Sequence, residues 1–411
     1  MYLRNLVVFA ALIVALGSCK KGKKEDPGTL VDPIESYVVM VSFDGFRWDY
    51  TDLYTTPNFD QLAKDGLKAE RLLPSFPTKT FPNHYTLATG LYPDNHGIIN
   101  NSFYASDLGG IYRIGAADMV TDGDSYFGEP IWVTAEQQGV KTACYFWVGS
   151  EADIMGVRPS YWNTYNGSVP YTNRVHQVIE WLSLPMDKRP ALITLYFDEP
   201  DHTGHGAGPE SEETGEVVEQ LDSILGFLRD ELAKLEHSDR INLIVLSDHG
   251  MGPINGDKYV NVKEYIKDEW AVSIVGGNPV YLVQPEEECT DSILTAFQGV
   301  PGVSAWQKED IPERLHYGNN PRFPGIVILA DSLWSLGTQA AAGGYSGGAH
   351  GYDNAFTDMH TIFYAEGPAF KEDYVSAGFS NVEIYGILAH LLDLEPADTD
   401  GNLEHISHLF K

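Results

Sequence analysis

Four short stretches of this sequence hold side chains able to bind a divalent cation. Asp44 stands in "SFDGF", directly after an apolar run. Asp201 and His205 share "DHTGH", and Asp248 and His249 are adjacent in "SDHG". His350 stands among glycines in "GGAHGYDN". Any one of these is ordinary, because a lone Asp after a strand usually caps a turn. Together they give three carboxylates and three imidazoles, a mixed N/O donor set that suits zinc. Six ligands exceed the needs of one tetrahedral ion and fit two ions about 4 Å apart.

A hydroxyl completes the chemistry. Thr80 lies between Lys79 and Phe81 in "PSFPTKTFPNHYTLATG", which runs from Pro74 to Gly90. An alcohol is a poor nucleophile at neutral pH, but zinc can hold it as the alkoxide. Pro82 predicts a helix starting there, with free backbone N–H groups and a positive dipole end turned toward a bound phosphate. In "GIINNSFY", Asn100 or Asn101 would donate a side-chain N–H to a phosphoryl oxygen, and spacing does not separate the two. His84, His96, His202 and His360 lack a partner pattern, and none is assigned as a ligand.

The elements that position these residues are legible as apolar runs, each ending in a polar cluster. "YVVMVSF" (37–43) ends in "DGFRWD", "ALITLYF" (191–197) in "DEPDHTGHG", and "INLIVLS" (241–247) in "DHGMG". Such runs read as buried parallel strands. Between the last two, Val217, Val218, Leu221, Ile224, Leu225, Leu228, Leu232 and Leu235 recur at helical spacing. Strands alternating with helices imply an α/β sheet with helices on both faces, and ligands gather beyond the C-terminal strand ends. Residues 252–345 are glycine- and proline-rich and read as a cap or insertion. "MHTIFYAEG" then reads as a strand and "VEIYGILAHLLDL" as a final helix.

The chain has 411 residues, 43% hydrophobic, with a formal net charge of -31. That length supports a large core. An acidic surface repels phosphate backbones, so no stable nucleic-acid complex is expected. Residues 1–18 read as a lipoprotein-type signal peptide, with Arg4 before "LVVFAALIVAL" and then "LGSC". Cys19 is the expected lipidation site, residues 19–36 a tether, and residues 37–411 the catalytic domain. The expectation is an exported bacterial lipoprotein, periplasmic or at the cell surface and held to a membrane through Cys19. Cys144 and Cys289 have mismatched contexts and read as unpaired thiols.

The stretches "SFDGFRWDY", "FPTKTFPNHYTLATGLYPDNHGII", "GEPIWVTAE", "YNGSVP", "EPDHTGHGAGP", "LSDHGM" and "GAHGYDN" occur in this order. They closely resemble the nucleotide pyrophosphatase/phosphodiesterase family of the alkaline phosphatase superfamily, from about Tyr37 to the C-terminus. The resemblance implies a three-layer α/β/α sandwich with a mainly parallel central sheet and two zinc ions. It gives one zinc Asp201, His205 and His350. It gives the other Asp44, Asp248 and His249, with Thr80 as its nucleophile ligand. It selects Asn101 as the phosphate-binding asparagine. The implied reaction is attack by the threonine on a phosphodiester or pyrophosphate, with a covalent phosphothreonine then hydrolysed to release a nucleoside monophosphate. The family's nucleotide-binding members hold the base in an aromatic slot, here Phe81 and Tyr165, with Trp147 and Tyr196 as further wall residues that fit a core role equally. Two alternatives stay open. One keeps the zinc chemistry and changes the substrate to a phosphocholine, glycerol-type or phosphonate compound. The other is an inactive surface lipoprotein that only binds, which predicts the loss of at least one ligand, and none is missing.

Overall fold

The strand Tyr37–Phe43 is buried along its whole length. Its side chains alternate, Val38 and Met40 joining one core while Tyr37, Val39, Val41 and Phe43 join another. A strand with apolar cores on both faces belongs inside a three-layer sandwich. The computed structural model describes residues 36–340 and 346–411 and bears this out. Eight strands form the central sheet, in the order Tyr374–Ser376, Leu67–Ala69, Phe363–Glu366, Ile241–Leu246, Tyr37–Phe43, Leu192–Phe197, Thr142–Tyr145 and Tyr161–Asn163. Neighbours pair in parallel except at Phe363–Glu366, which runs antiparallel to both its partners. The expected signal segment 1–18, Cys19, all of the tether but Ser36, and residues 341–345 lie outside the described residues.

The amphipathic stretch forms the helix Glu212–Leu232, starting five residues before its first apolar position. Ser211 caps it, its side chain accepting the Thr214 N–H and satisfying one of the orphan donors of a first turn. Val218, Leu221, Leu225 and Leu228 pack beneath one face of the sheet. The last expected helix forms at Ile384–Leu391 and packs in the core of the other face.

The expected insertion contains a second sheet. Its four strands lie in the order Ala271–Gly277, Val280–Pro285, Ile326–Ala330 and Val303–Gln307, all antiparallel. With the helix Thr290–Phe297 it encloses a separate core around Val283, Ile293, Phe297 and Ile328. No described helix is long and apolar enough to cross a membrane. Cys144 and Cys289 are free thiols.

Candidate active site

Three neighbouring parallel strands end level with one another. Ser42 pairs with Leu246 and Phe43 with Phe197. The chain leaves these strands toward Asp44, Asp201 and Asp248, so register alone gathers three carboxylates at one edge. Gly45 adopts φ +70°, and a Cβ there would meet the Asp201 backbone at 2.9 Å. Glycine is required for the left-handed turn and for the close approach of the two loops.

The histidines are aimed by their inner ring nitrogens. Nδ1 lies 2.9 Å from a backbone carbonyl in each case: Gly348 for His205, Gly250 for His249 and Thr78 for His350. A carbonyl only accepts, so Nδ1 carries the proton and Nε2 presents a lone pair, the arrangement of a metal-ligating imidazole. His205 Nε2 and His350 Nε2 lie 3.4 and 3.5 Å from Asp201 Oδ1. His249 Nε2 lies 3.3 Å from Asp44 Oδ1 and 3.1 Å from Asp248 Oδ2. Those three carboxylate oxygens are buried with no hydrogen-bond partner. An ionised oxygen left so costs several kcal/mol, and a divalent cation meets that need. The donor set therefore fits a metal, and its mix of imidazole and carboxylate suits zinc.

The charge balance agrees. Burial pushes the Asp44 carboxyl well above the usual range, and the charges of Asp248 and Asp201 add to the rise. Burial likewise raises Asp201 to about 6. Burial would raise Asp248 too, but His249 and His84 beside it hold it low. Burial lowers His205, His249 and His350 from the usual imidazole range. Two carboxyls raised chiefly by burial, a third held low and three lowered imidazoles, all in one cluster, are a cation's surroundings.

Thr80 opens the helix Thr80–Thr89, and its Oγ1 is 3.1 Å from His249 Nε2. The helix begins two residues earlier than Pro82 suggests, because the Lys79 carbonyl already accepts the Asn83 N–H. This also revises the expected row of free N–H groups. The Phe81 N–H donates to Asn101 Oδ1 at 2.9 Å, Pro82 has none, and the Asn83 N–H is used within the turn. With Oδ1 engaged by the Phe81 N–H, the Asn101 amide can act toward a ligand only as a donor through its N–H₂. Asn100 is 1% exposed and its Oδ1 accepts the Asn101 N–H, so the two asparagines sit differently.

Beside Thr80 opens a pocket of about 360 Å³. Phe81, Trp147, Tyr165 and Tyr196 all line it, with Asp44, Asp201, Glu151, Asp198 and His202. Tyr165 is 50% exposed, with its ring edge-on to Phe146 at 5.2 Å. Trp147 is both wall and core, lining the pocket while only 2% exposed. The Tyr196 hydroxyl donates to Asp44 Oδ2 at 2.6 Å and so joins pocket to metal-ligand cluster. Sequence reasoning missed Phe146, Glu151, Asp198 and His84. The available signal was the polar "GSEAD" after "YFW", and for His84 its place one turn after Thr80.

The family model described as Type I phosphodiesterase / nucleotide pyrophosphatase matches residues 38–353. Human ectonucleotide pyrophosphatase/phosphodiesterase family member 1 is 35% identical over 386 residues, covering 91% of this chain and 42% of that protein. Venom phosphodiesterase 2 of Crotalus adamanteus is 38% identical over 387 residues, covering 92% of this chain and 48% of that protein. A solved structure of murine ectonucleotide pyrophosphatase/phosphodiesterase 5, an inactive threonine-to-alanine variant in complex with AMP, matches with a TM-score of 0.87 at 35% identity. That match covers 92% of this chain and all of the other. The fold is alkaline phosphatase-like, and the chain belongs to the type I phosphodiesterase / nucleotide pyrophosphatase family. It spans less than half the length of those two curated relatives.

Proposed function

We propose that the protein is a zinc-dependent phosphodiesterase that cleaves small nucleotide diesters or pyrophosphates through Thr80 and releases a nucleoside monophosphate. The observation that carries this reading is the Thr80 hydroxyl, 3.1 Å from His249 Nε2 at a helix start, beside three orphaned carboxylate oxygens. Asp201, His205 and His350 would hold one zinc, and Asp44, Asp248 and His249 the other. Bound there, zinc supplies Lewis acidity that lowers the pKa of a hydroxyl or water and offsets developing negative charge.

The remaining work falls to the chain. Thr80 Oγ1, its proton given up to solvent, attacks phosphorus. As the Thr80–phosphorus bond forms, the bond to the departing oxygen breaks. That oxygen leaves with the electron pair and takes up a proton from solvent where it needs one. The Asn101 amide N–H₂ donates to a phosphoryl oxygen as charge grows there. Phe81 and Tyr165 hold the base by stacking, which tolerates different bases. Water then breaks the Thr80–phosphorus bond and restores the hydroxyl. The AMP in the murine relative, and the inactivity of its threonine-to-alanine variant, support both halves of this reading.

Glu151 in the pocket wall also suits a cationic head group such as choline, which aromatic faces attract, whereas Asp198 beside it is already paired with Arg174 at 2.9 Å. Product analysis after incubation with ATP, a dinucleotide polyphosphate and a phosphocholine ester separates the readings. Nucleoside monophosphate from wild type and none from Thr80→Ala is the expected result. Turnover of the phosphocholine ester alone overturns the nucleotide assignment. For the N-terminal segment we propose a lipid anchor at Cys19 of an exported lipoprotein, resting on "LGSC" after an apolar run.

A further inference from the structure

Asp44, His84 and Asp248 offer donor atoms within 4.8 Å of one another, so His84 sits where a fourth metal-binding imidazole could stand. Its hydrogen bonds give it a different task. His84 Nδ1 is hydrogen-bonded to the Thr80 carbonyl at 3.0 Å, and Asp248 Oδ2, which has no hydrogen-bond partner, lies 3.3 Å away. The carbonyl can only accept, so Nδ1 carries the proton. On the other side of the ring, Nε2 lies 2.9 Å from the Ser42 hydroxyl. Both ring nitrogens are engaged. In His205, His249 and His350 Nδ1 is held by a backbone carbonyl and Nε2 faces an orphaned carboxylate oxygen, with the Thr80 hydroxyl also 3.1 Å from His249 Nε2.

The partners of His84 span the site. Ser42 belongs to the central strand, Thr80 to the helix start, and Asp248 to the loop of the neighbouring strand. The buried ring also lies edge-on to Trp147 at 5.1 Å and to Tyr196 at 5.2 Å. Trp147 Nε1 donates to the His84 carbonyl at 3.0 Å. One imidazole therefore touches the backbone of the hydroxyl-bearing residue, a cluster carboxylate, the sheet and two pocket walls.

We propose that His84 is a positioning residue that ties the first turn of the helix to the sheet end and to Asp248, holding the Thr80 hydroxyl in line with bound substrate. This rests on the reading of Thr80 as nucleophile. A packing histidine would need only its ring volume, whereas this role needs the donor at Nδ1. His84→Asn keeps an N–H near Nδ1, while His84→Gln keeps one near Nε2.

The test measures kcat, KM and bound zinc for these two variants and His84→Ala, with zinc saturating. His84→Ala and His84→Gln should lower kcat by about ten- to a hundredfold, the usual cost of losing a group that orients a ligand. KM should stay within about threefold, since substrate contacts are untouched. His84→Asn should recover most of the rate, and zinc content should match wild type throughout. Equal rates for His84→Asn and His84→Gln would make the ring a packing element and overturn the proposal. Zinc lost from His84→Ala would make it a ligand instead. If wild type turns over no phosphodiester, the proposed function fails on its own. Crystal structures of wild type and His84→Ala then decide the present point. A shift of the Thr80 backbone relative to Asp248 supports it, and unchanged positions overturn it.

Discussion

The strand-end cluster and the aromatic pocket adjoin at Thr80, yet different forces hold their side chains. In the cluster each imidazole is fixed by a backbone carbonyl 2.9 Å away, and each aspartate follows a strand of the same sheet. In the pocket Tyr196 and Trp147 are anchored by hydrogen bonds to Asp44 Oδ2 and the His84 carbonyl, but the half-exposed Tyr165 ring leans on Phe146 and Tyr196 at 5.2 and 6.2 Å. Hydrogen bonds to charged or ligating groups are directional and costly to lose, while ring contacts are worth about 0.5–1.5 kcal/mol and re-pack. The cluster should therefore govern the chemical step, and the pocket should govern which substrate reaches it.

The largest effect should come from Thr80. Thr80→Ala should retain zinc and lower kcat about a thousandfold or more, because the attacking atom is gone while the ligands stay. Thr80→Ser should keep much of the rate. Activity of Thr80→Ala within a few-fold of wild type would rule out Thr80 as the nucleophile and with it the covalent route.

Metal removal comes next. His350→Ala and Asp248→Ala should each lower bound zinc and lower the rate by orders of magnitude. Chelation should abolish turnover, lower Tm by several degrees and be reversed by zinc, since ligand binding stabilises the folded state by mass action. Calorimetry with and without chelator checks the second part, and an unchanged Tm would contradict the fit of a cation to the orphaned oxygens.

The pocket should respond more mildly and selectively. Removing a base-stacking ring costs roughly 1–3 kcal/mol. Tyr165→Ala should thus lower kcat/KM for a nucleotide ester by about ten- to a hundredfold. A nitrophenyl alkyl phosphodiester, which has no base, should be affected far less at the same pH, zinc and salt. Equal losses on both would mean that Tyr165 shapes the site rather than reads a base.

The smallest effect concerns stability beneath the helix Thr80–Thr89. His96 is fully buried, its Nε2 donating to the Pro82 carbonyl and its Nδ1 accepting the Ile98 N–H. Burial pushes its imidazole down to about 3. The unfolded chain takes up that proton near pH 6.5 while the folded chain stays neutral. The neutral ring's contribution is therefore complete above pH 6.5 and is lost progressively as pH falls toward 3. Within that window, unfolding free energy should fall by up to about 1.4 kcal/mol per pH unit more steeply for wild type than for His96→Gln. Parallel slopes in denaturant titrations at pH 7 and pH 5 would contradict this. Cys19→Ala, by contrast, should change membrane partition and leave kcat alone.

The same contrast explains what was legible in the sequence. Asp44, Asp201 and Asp248 follow apolar runs whose strand register brings them level, so polarity at strand ends was enough to pick them out. The histidines were legible because each stands in a glycine-rich or acidic stretch, although His205 lies on the short helix Asp201–Ala207. His84 was not, since a histidine inside a helix that buries eight of its ten residues reads as core. The pocket was only half legible. Phe81, Trp147, Tyr165 and Tyr196 come from separate segments, and nothing local marks Glu151 as facing them. Pro82 misplaced the helix start because proline is tolerated anywhere in a first turn, where its missing N–H costs nothing.

The central claim is that the phosphoryl group passes through Thr80 rather than directly to water. The most direct measurement is the stereochemical course at phosphorus, using a nucleoside phosphorothioate diester of known configuration hydrolysed in ¹⁸O-labelled water. Two successive in-line displacements, first by Thr80 and then by water, predict net retention. Net inversion would mean a single displacement by water and would contradict the account.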